Sequence, residues 1–238
     1  MNILVVNDDS IHAPGIRMLA RAASQIGDVY VVAPASQCSA MSQKLTLRDP
    51  MTLREMKDFP ADVKAAWEVG GTPVDCVKVA LYYILEKKPD LVLSGINNGY
   101  NAGFDIAYSG TLGAAFEAAR NGVPAIAFSA PSDSYLPAAE PWLLPILQEL
   151  AEADPGEGNV WNVNFPRMND QPPTGILRDR IPAYSSMFRE DYRAEACEDG
   201  SIVLTCRGIP VPDEALCTGS DGEAVRTGYI SIGKVRAF

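Results

Sequence analysis

The chain has 238 residues and a formal net charge of −10, with 20 Lys and Arg residues against 30 Asp and Glu residues. This length suits one large α/β domain, alone or with a small appendage. The acidic balance argues against a protein that binds polymeric nucleic acid or an anionic membrane, because both partners require basic patches. The sequence has no apolar run of about 18 residues and no signal peptide before its first strand, so we expect a cytoplasmic protein without a membrane segment.

The cysteines and the histidine exclude several classes of site. The five cysteines form no C-x-x-C pair and their number is odd, which argues against a disulfide scaffold and against a zinc cluster. His12 is the only histidine, so mechanisms that need a pair of histidines are excluded. We interpret His12 as a residue that pairs with a backbone group at the start of a helix, rather than as a proton-transfer group.

An acidic turn follows the first predicted strand. The aliphatic run at 3–6 predicts a buried strand of a parallel sheet, and Pro14 and Gly15 then open an amphipathic helix. Ligands of open α/β sheets bind at the carboxyl ends of the strands, where this turn lies. The turn carries Asp8 and Asp9, and two adjacent carboxylates would repel a phosphate unless a cation lay between them. It therefore predicts a metal site.

Strand and helix patterns alternate up to residue 166. Further strands are predicted at 29–33, 67–69, 91–93, 125–128 and 160–165, with short strands at 44–47 and 51–56. Helices are predicted at 73–85, 112–120 and 141–150. This alternation predicts an α/β domain over residues 1–166, built on a doubly wound, mostly parallel sheet.

The last part of the chain, residues 167–238, has a different character. A proline-containing break at 171–173 is followed by two strand-like runs, at 202–206 and 229–232, among Gly, Pro and acidic residues. This segment has too few apolar residues to form a core of its own. We predict a β-rich arm or small subdomain that packs on a partner chain through exchanged or paired strands.

Three predicted loops leave the carboxyl ends of parallel strands and so meet at one crevice. Their polar side chains are Asp8 and Asp9 in the first loop, Ser36, Ser39 and Ser42 in the second, and Asn97, Asn98 and Asn101 in the third. Carboxylate, hydroxyl and amide oxygens are hard ligands that suit Mg²⁺, Mn²⁺ or Ca²⁺ and are poorly suited to zinc or copper. The crevice therefore predicts one divalent ion, with positions left for water and substrate.

A phosphate site is indicated directly before the predicted helix at 112–120. Ser109, Gly110 and Thr111 place backbone N–H groups and hydroxyls at the positive end of the helix dipole, which binds phosphate readily. The alternative is that Ser109 or Thr111 only caps the helix. A metal site nearby favours the phosphate interpretation.

The same motifs occur together in one known family. In chain order, the sequence resembles the SurE family of stationary-phase survival nucleotidases through Asn7-Asp8-Asp9-Ser10 with Ala13-Pro14-Gly15, Val32-Ala33-Pro34 with Ser39 and Ser42, Gly71-Thr72-Pro73 with Asp75-Cys76-Val77, Ser94-Gly95-Ile96-Asn97 with Gly99 and Asn101, Tyr108-Ser109-Gly110-Thr111 with Gly113-Ala114-Ala115, and Asn162-Val163-Asn164-Phe165-Pro166. The resemblance implies a Rossmann-like three-layer fold and a metal-dependent 5′/3′-nucleotidase that removes phosphate from nucleoside monophosphates. It also implies a homodimer or homotetramer.

The resemblance assigns roles to residues of this chain. The implied metal ligands are Asp8, Asp9, Ser39 and Asn97, and the implied ion is Mg²⁺ or Mn²⁺, with Ca²⁺ as a further candidate. The phosphate would be held by Ser109, Gly110 and Thr111, with Asn101 nearby. The ion would bind a phosphoryl oxygen and lower the pKa of a bound water, and either Asp8 or Asp9 would receive or steer the proton of that water.

The sequence departs from the family in two places. In the loop after the second strand, Ala35 and Ser36 replace the usual Asp-Arg pair, and Ala40 replaces the glycine that follows the ligand serine. Near the end, Gly233 and Lys234 stand where Thr-Pro is usual. The first departure leaves the four implied metal ligands unchanged and alters the residues around them, and the second lies in the arm.

A phospho-receiver signalling domain is the alternative from another functional class. Its first strand also ends in an acidic pair that binds Mg²⁺, but it needs a third aspartate after the third strand and a lysine after the fifth. Asp58 and Asp62 lie in polar, proline-broken sequence, and the chain is about twice the length of such a domain. A metal- or nucleotide-binding module without catalytic activity is a third hypothesis. We favour the phosphomonoesterase.

Overall fold

A computed structural model describes residues 1–131, 135–168 and 171–236 of the chain. The strands are β1 (Asn2–Val6), β2 (Asp28–Pro34), β3 (Leu53–Glu55), β4 (Ala65–Val69), β5 (Leu91–Asn98), β6 (Ala125–Ala130), β7 (Asn159–Asn164), β8 (Ile176–Arg180), β9 (Phe188–Ala196), β10 (Ile202–Pro210) and β11 (Ile230–Arg236). The α-helices are α1 (Pro14–Ala23), α2 (Pro73–Val79), α3 (Gly110–Arg120), α4 (Tyr135–Glu152) and α5 (Asp221–Arg226). A π-helical turn spans Ala80–Ile84, and 3₁₀ turns span Gly103–Tyr108 and Asp213–Ala215.

Nine strands form one sheet in the order β3-β4-β2-β1-β5-β6-β7-β11-β8. The six strands from β4 to β7 in this order are parallel to one another, which confirms the predicted doubly wound, mostly parallel sheet. The side chains of Ile3 to Val6 in β1 are completely buried because helices cover both faces of the sheet. Helices α1 and α4 pack on one face, and α2 and α3 pack on the other.

Local sequence signals fix the starts of two helices. Thr72 caps α2 through a capping box, in which its hydroxyl accepts the Asp75 N–H and the Asp75 carboxylate accepts the Thr72 N–H. Pro14 begins α1, and Gly15 follows it in close contact with β5. A Cβ at Gly15 would collide with the backbone carbonyl oxygen of Ile96, so only glycine allows α1 to lie this near the sheet.

Several predicted boundaries differ from the observed ones. Residues 44–47 form no strand, because the Lys44 carbonyl accepts the Thr72 hydroxyl and the Thr46 N–H donates to Asp75. Residues 94–98, predicted as a loop, extend β5 and pair with β6 after an irregularity in register. The α-helix predicted at 73–85 changes to a π turn after residue 79.

Helix α4 is longer than the predicted helix at 141–150. It contains both Pro141 and Pro145, and these two residues are exposed. The opposite side of the helix buries Leu143, Ile146 and Leu147 against the sheet. Packing of this apolar side therefore outweighs the backbone hydrogen bonds that the prolines cannot make.

The C-terminal part of the chain divides between two sheets. Strands β9 and β10 form a separate antiparallel hairpin, which confirms the predicted β-rich arm. Strands β8 and β11 instead extend the main sheet, with β11 antiparallel to β7 and parallel to β8. The division of the chain at residue 166 stays a prediction. Within the described residues, no helix combines the length and the apolar character needed to cross a bilayer.

Candidate active site

Asp8 lies at the carboxyl end of β1, where three elements meet. Its side chain is buried, and Oδ1 accepts a 2.7 Å hydrogen bond from the Thr111 hydroxyl in the first turn of α3. Its backbone carbonyl accepts a 2.7 Å hydrogen bond from the Cys38 N–H, in the loop that follows β2. A Cβ at Gly110 would lie 3.1 Å from both Cβ and Oδ2 of Asp8, so the glycine lets α3 approach this closely.

Asp9 connects the same turn to β5 and to the loop after β2. Its Oδ2 accepts a 2.9 Å hydrogen bond from the Asn98 N–H, and its Oδ1 accepts a 3.4 Å hydrogen bond from Nε2 of Gln37. The hydrogen bonds that hold the two carboxylates therefore come from uncharged donors. These bonds bring the turn after β1, the loop after β2 and the end of β5 together at one edge of the sheet.

The electrostatics of this pair call for a positive partner. Burial, opposed by the hydrogen bond from Thr111 and reinforced by the charge of Asp9, raises the pKa of Asp8 to about 7. Burial also raises the pKa of Asp9. No Lys or Arg among the described residues forms an ion pair with either carboxylate. A divalent cation would offset both desolvated charges, so the donor set fits such an ion.

The other two predicted metal ligands lie next to residues that contact the acidic pair. Ser39 follows Cys38, whose N–H bonds to Asp8, and Asn97 precedes Asn98, whose N–H bonds to Asp9. The side-chain nitrogen of Asn97 donates to the Gly99 carbonyl over 2.9 Å, which leaves its side-chain oxygen for a ligand. In the described part of the chain no group of three or more His, Cys, Asp and Glu residues forms a metal site. A site here must combine the two carboxylates with hydroxyl and amide oxygens.

The predicted phosphate-binding residues surround the start of α3. The Ser109 hydroxyl accepts a 3.1 Å hydrogen bond from the Leu112 N–H, so this residue caps the helix as the alternative proposed. A serine hydroxyl that accepts such a bond still has its own proton to donate to an anion. Thr111 is completely buried and bonds to Asp8. The capping role and a phosphate role are thus compatible at Ser109, whereas the Thr111 hydroxyl is already engaged.

Asn101 lies in a polar network at the ends of β6 and β7. Its side-chain nitrogen donates to the Ser129 hydroxyl over 2.8 Å, and its backbone N–H donates to Oδ1 of Asn164 over 2.9 Å. Its carbonyl accepts hydrogen bonds from the side chains of Asn162 and Asn164. Asn101 makes no hydrogen bond to the acidic pair, and its part in binding phosphate stays a prediction.

Comparison with known proteins identifies the family. The model of the family described as survival protein SurE matches residues 3–185. The chain belongs to the SurE family. It is 36% identical over 235 residues to 5′-nucleotidase SurE 1 of Thermus thermophilus, a match that covers 98% of this chain and 90% of the relative. It is 37% identical to 5′-nucleotidase SurE of Flavobacterium psychrophilum over 97% of this chain and 89% of that protein.

A solved structure of a SurE protein has the same fold. The crystal structure of the SurE protein from Aquifex aeolicus matches with a TM-score of 0.84 and 32% sequence identity, over 100% of this chain and 94% of that one. The SurE fold predicted from the motifs is therefore confirmed. The receiver-domain alternative gains no support, because Asp58 and Asp62 lie between β3 and β4, and β3 runs antiparallel to the strands whose carboxyl ends form the site.

The SurE loop after β2 contains a strained residue in this chain. Ala40 has a φ of +55°, in the left-handed region that favours glycine, and it stands where the family usually has glycine. Ala40 therefore carries a Cβ in a backbone conformation that disfavours one. Ala40 follows Ser39, so the strain lies beside a predicted metal ligand.

Some contacts of the site were not predicted from the sequence, and the contact of His12 differs from the predicted one. Gln37 and the backbone N–H of Asn98 hold Asp9; the sequence indicated Asn98 only through its side chain and did not indicate Gln37. Polar Asn162 and Asn164 interrupt the apolar pattern of β7, and this interruption could have indicated a buried polar network. The Nε2 of His12 lies 3.4 Å from a carboxylate oxygen of Glu68, whereas the sequence interpretation paired His12 with a backbone group.

Proposed function

We propose that this SurE protein is a divalent-metal-dependent nucleotidase that hydrolyses nucleoside 5′- and 3′-monophosphates to nucleoside and phosphate. The observation that carries the proposal is the buried carboxylate of Asp8, which touches the first turn of α3, has Asp9 beside it and forms no ion pair with a Lys or Arg of the described residues. Two SurE relatives over nearly the same length are named 5′-nucleotidases. The 3′ activity is inferred from the family resemblance alone.

The residues that would hold the ion are Asp8, Asp9, Ser39 and Asn97. When bound, Mg²⁺ or Mn²⁺ supplies a positive charge to the phosphoryl oxygens and lowers the pKa of a coordinated water, and Ca²⁺ also suits this oxygen set. The chain orients the carboxylates through Thr111 and Asn98. Asp8 or Asp9 would take or steer the proton of the attacking water.

The first turn of α3 would hold the phosphate of the substrate. The backbone N–H groups of Gly110 and Thr111 lie at the positive end of the helix dipole, and the Ser109 hydroxyl has a proton to donate. Asn101 lies on the loop that leads to this turn. The acidic pair and the helix end share the Asp8–Thr111 contact, so the residues that would hold phosphate adjoin the residues that would hold the ion.

Assembly and location follow from the sequence interpretation. The β9–β10 arm exposes nearly all of its residues, and we infer that it contacts further copies of the chain in a homodimer or homotetramer. A cytoplasmic location stays a prediction. Polymeric nucleic acid and membranes are not expected partners, because the chain carries a net charge of −10.

The decisive experiment measures phosphate release from a panel of nucleoside 5′- and 3′-monophosphates, each with Mg²⁺, Mn²⁺, Ca²⁺ or a chelator. We expect turnover with Mg²⁺ or Mn²⁺, none with chelator, and recovery when the ion is returned. Asp8→Asn and Asp9→Asn should each reduce kcat strongly, whereas Asp28→Asn, at an exposed aspartate paired with Lys64, should not. Phosphate release that survives exhaustive chelation, or survives both substitutions together, would contradict the proposal.

A further inference from the structure

The loop at residues 99–108, hereafter the 99–108 loop, joins two parts of the candidate site. It begins after Asn98, which contacts Asp9, and it ends before Ser109, which caps α3. It also carries Asn101. The loop therefore connects the residue that holds Asp9 to the residues proposed to hold phosphate, in addition to the direct contact between Asp8 and Thr111.

One end of the loop is held by β7. Asn164 accepts the Asn101 N–H over 2.9 Å, and the side chains of Asn164 and Asn162 both donate to the Asn101 carbonyl, over 3.1 and 2.8 Å. These bonds join neutral groups of the loop to neutral side chains of β7 in the main sheet. They satisfy both backbone polar groups of one loop residue.

The middle of the loop is held by a single charged group from α5. The Asp221 side chain is buried, and its Oδ1 and Oδ2 lie 3.2 and 3.1 Å from the Gly103 nitrogen, which donates to them. The same carboxylate accepts the Ala183 N–H over 2.9 Å and the Gly222 N–H over 2.7 Å. In the described part of the chain no Lys or Arg forms an ion pair with Asp221.

The loop and the C-terminal segment are in close contact at this point. Gly103 has a φ of +58°, and a Cβ on it would collide with the backbone carbonyl oxygen of Ser185. The Ser185 carbonyl accepts the Phe104 N–H over 3.1 Å, and the Asp105 carboxylate accepts the Met187 N–H over 3.0 Å. Residues 183–187 lead directly into β9, so the root of the arm is packed against the loop.

We propose that Asp221 is a positioning residue for substrate, because its buried carboxylate ties the 99–108 loop to the root of the arm and so fixes the phosphate-binding residues relative to the acidic pair. Hydrogen bonds to a charged acceptor are stronger than those between neutral groups, and removing one partner leaves a buried donor unsatisfied. Asp221 therefore contributes more to the loop position than any single neutral bond of β7. This inference rests on the proposed nucleotidase function.

Asp221→Asn is the test variant, and Glu223→Gln is its matched control. The Gly103 N–H contacts both oxygens of Asp221, so an amide nitrogen at either position opposes at least one N–H donor. Glu223 lies on the same helix and accepts the Gly219 N–H over 2.6 Å, which is a bond that does not reach the loop. A glutamine there keeps one oxygen for that bond.

The readouts are the KM for a nucleoside 5′-monophosphate, the inhibition constant of inorganic phosphate, the Kd of Mn²⁺, and amide hydrogen exchange of the 99–108 loop. Asp221→Asn should raise the KM and the inhibition constant about tenfold and speed exchange in the loop, with the Mn²⁺ Kd unchanged. Glu223→Gln should leave all four near wild type. Equal KM and phosphate inhibition in the two variants would overturn the proposal, even if Asp221→Asn lowered the Tm.

A second variant tests the proposal if Asp221→Asn does not fold. Gly103→Ala displaces the same loop without altering Asp221, because its Cβ would meet the Ser185 carbonyl, and it should raise the KM in the same direction. An unchanged KM would overturn the proposal. A wild-type protein that releases no phosphate contradicts the nucleotidase function instead, and calorimetric binding of inorganic phosphate with loop hydrogen exchange then tests Asp221 independently.

Discussion

The Thr111 hydroxyl donates a 2.7 Å hydrogen bond to Oδ1 of Asp8, and both side chains are buried. This bond joins the end of the first strand to the first turn of α3. The proposed cation site and the proposed phosphate site therefore adjoin at this contact. The bond fixes Oδ1 of Asp8, and Oδ2 remains for a ligand.

Thr111→Val removes this hydrogen bond and keeps the shape of the side chain. We expect kcat/KM for a nucleoside monophosphate to fall about 10- to 100-fold, because the Asp8 carboxylate loses a buried donor. The Kd of Mn²⁺ should rise as well. Thr111→Ser retains the hydroxyl and should stay within a few-fold of wild type. Steady-state kinetics and calorimetric Mn²⁺ binding check both variants, and wild-type behaviour of Thr111→Val would show that the bond does not orient Asp8.

The raised pKa of Asp8 predicts how stability depends on pH without metal. Burial moves this pKa from 3.8 to about 7, so between these values the folded state binds the proton more tightly than the unfolded chain does. The resulting stabilisation is complete below pH 3.8 and is lost as the pH rises to about 7. Its size is at most about 4 kcal/mol, from 1.36 kcal/mol for each pKa unit.

Asp8→Asn isolates this contribution. In chelator, the free energy of unfolding of the wild type should fall between pH 4 and 7 relative to that of Asp8→Asn, and the variant should be the more stable protein at pH 7. Urea denaturation at several pH values measures the difference. Parallel curves for the two proteins would contradict the burial of a titrating Asp8.

The left-handed backbone at Ala40 predicts a stabilising substitution. Ala40→Gly should raise the free energy of unfolding by about 1 kcal/mol, which is the cost of a Cβ in this conformation. Ala35→Gly is the control, because Ala35 lies in the same loop without a positive φ and should be neutral or slightly destabilised. Chemical denaturation compares the two, and a loss of stability in Ala40→Gly equal to that in Ala35→Gly would contradict the strain.

The exposed apolar side chains of β10 predict assembly. Ile202, Val203 and Leu204 are 64%, 50% and 61% exposed. Light scattering at micromolar concentration should therefore give at least twice the chain mass of 25.6 kDa. Ile202→Glu combined with Leu204→Glu should lower this mass, whereas Leu47→Glu, at a leucine outside the arm that is 82% exposed, should not. A monomeric wild type would contradict the assembly.

Local patterns in the sequence predicted the elements that depend on neighbouring residues. The buried run of β1, the start of α2 at Pro73 and the acidic turn at Asp8 and Asp9 all lie where they were expected. In each case the deciding interactions join residues only a few positions apart, or depend on burial of an unbroken apolar run. The crevice followed because the carboxyl ends of parallel strands share one edge of the sheet.

The contacts that complete the site depend on residues far apart in the chain. Asp221 and Gly103 are 118 positions apart, and Asn164 and Asn101 are 63 apart, so no local pattern links them. The placement of β11 between β7 and β8 is of the same kind. Such pairings are set by the packing of the whole sheet and could not be predicted from the sequence motifs.

Strand β11 also constrains the order in which the sheet can be completed. Among the described residues, β8 pairs with the main sheet through β11 alone, although the whole hairpin and α5 separate the two in the chain. During synthesis, β8 therefore emerges from the ribosome well before the strand that holds it, and β7 keeps a free antiparallel edge for the same interval. An exposed edge of this kind invites pairing with another chain. Nascent chains halted before residue 230 should consequently aggregate more readily than chains that have passed it.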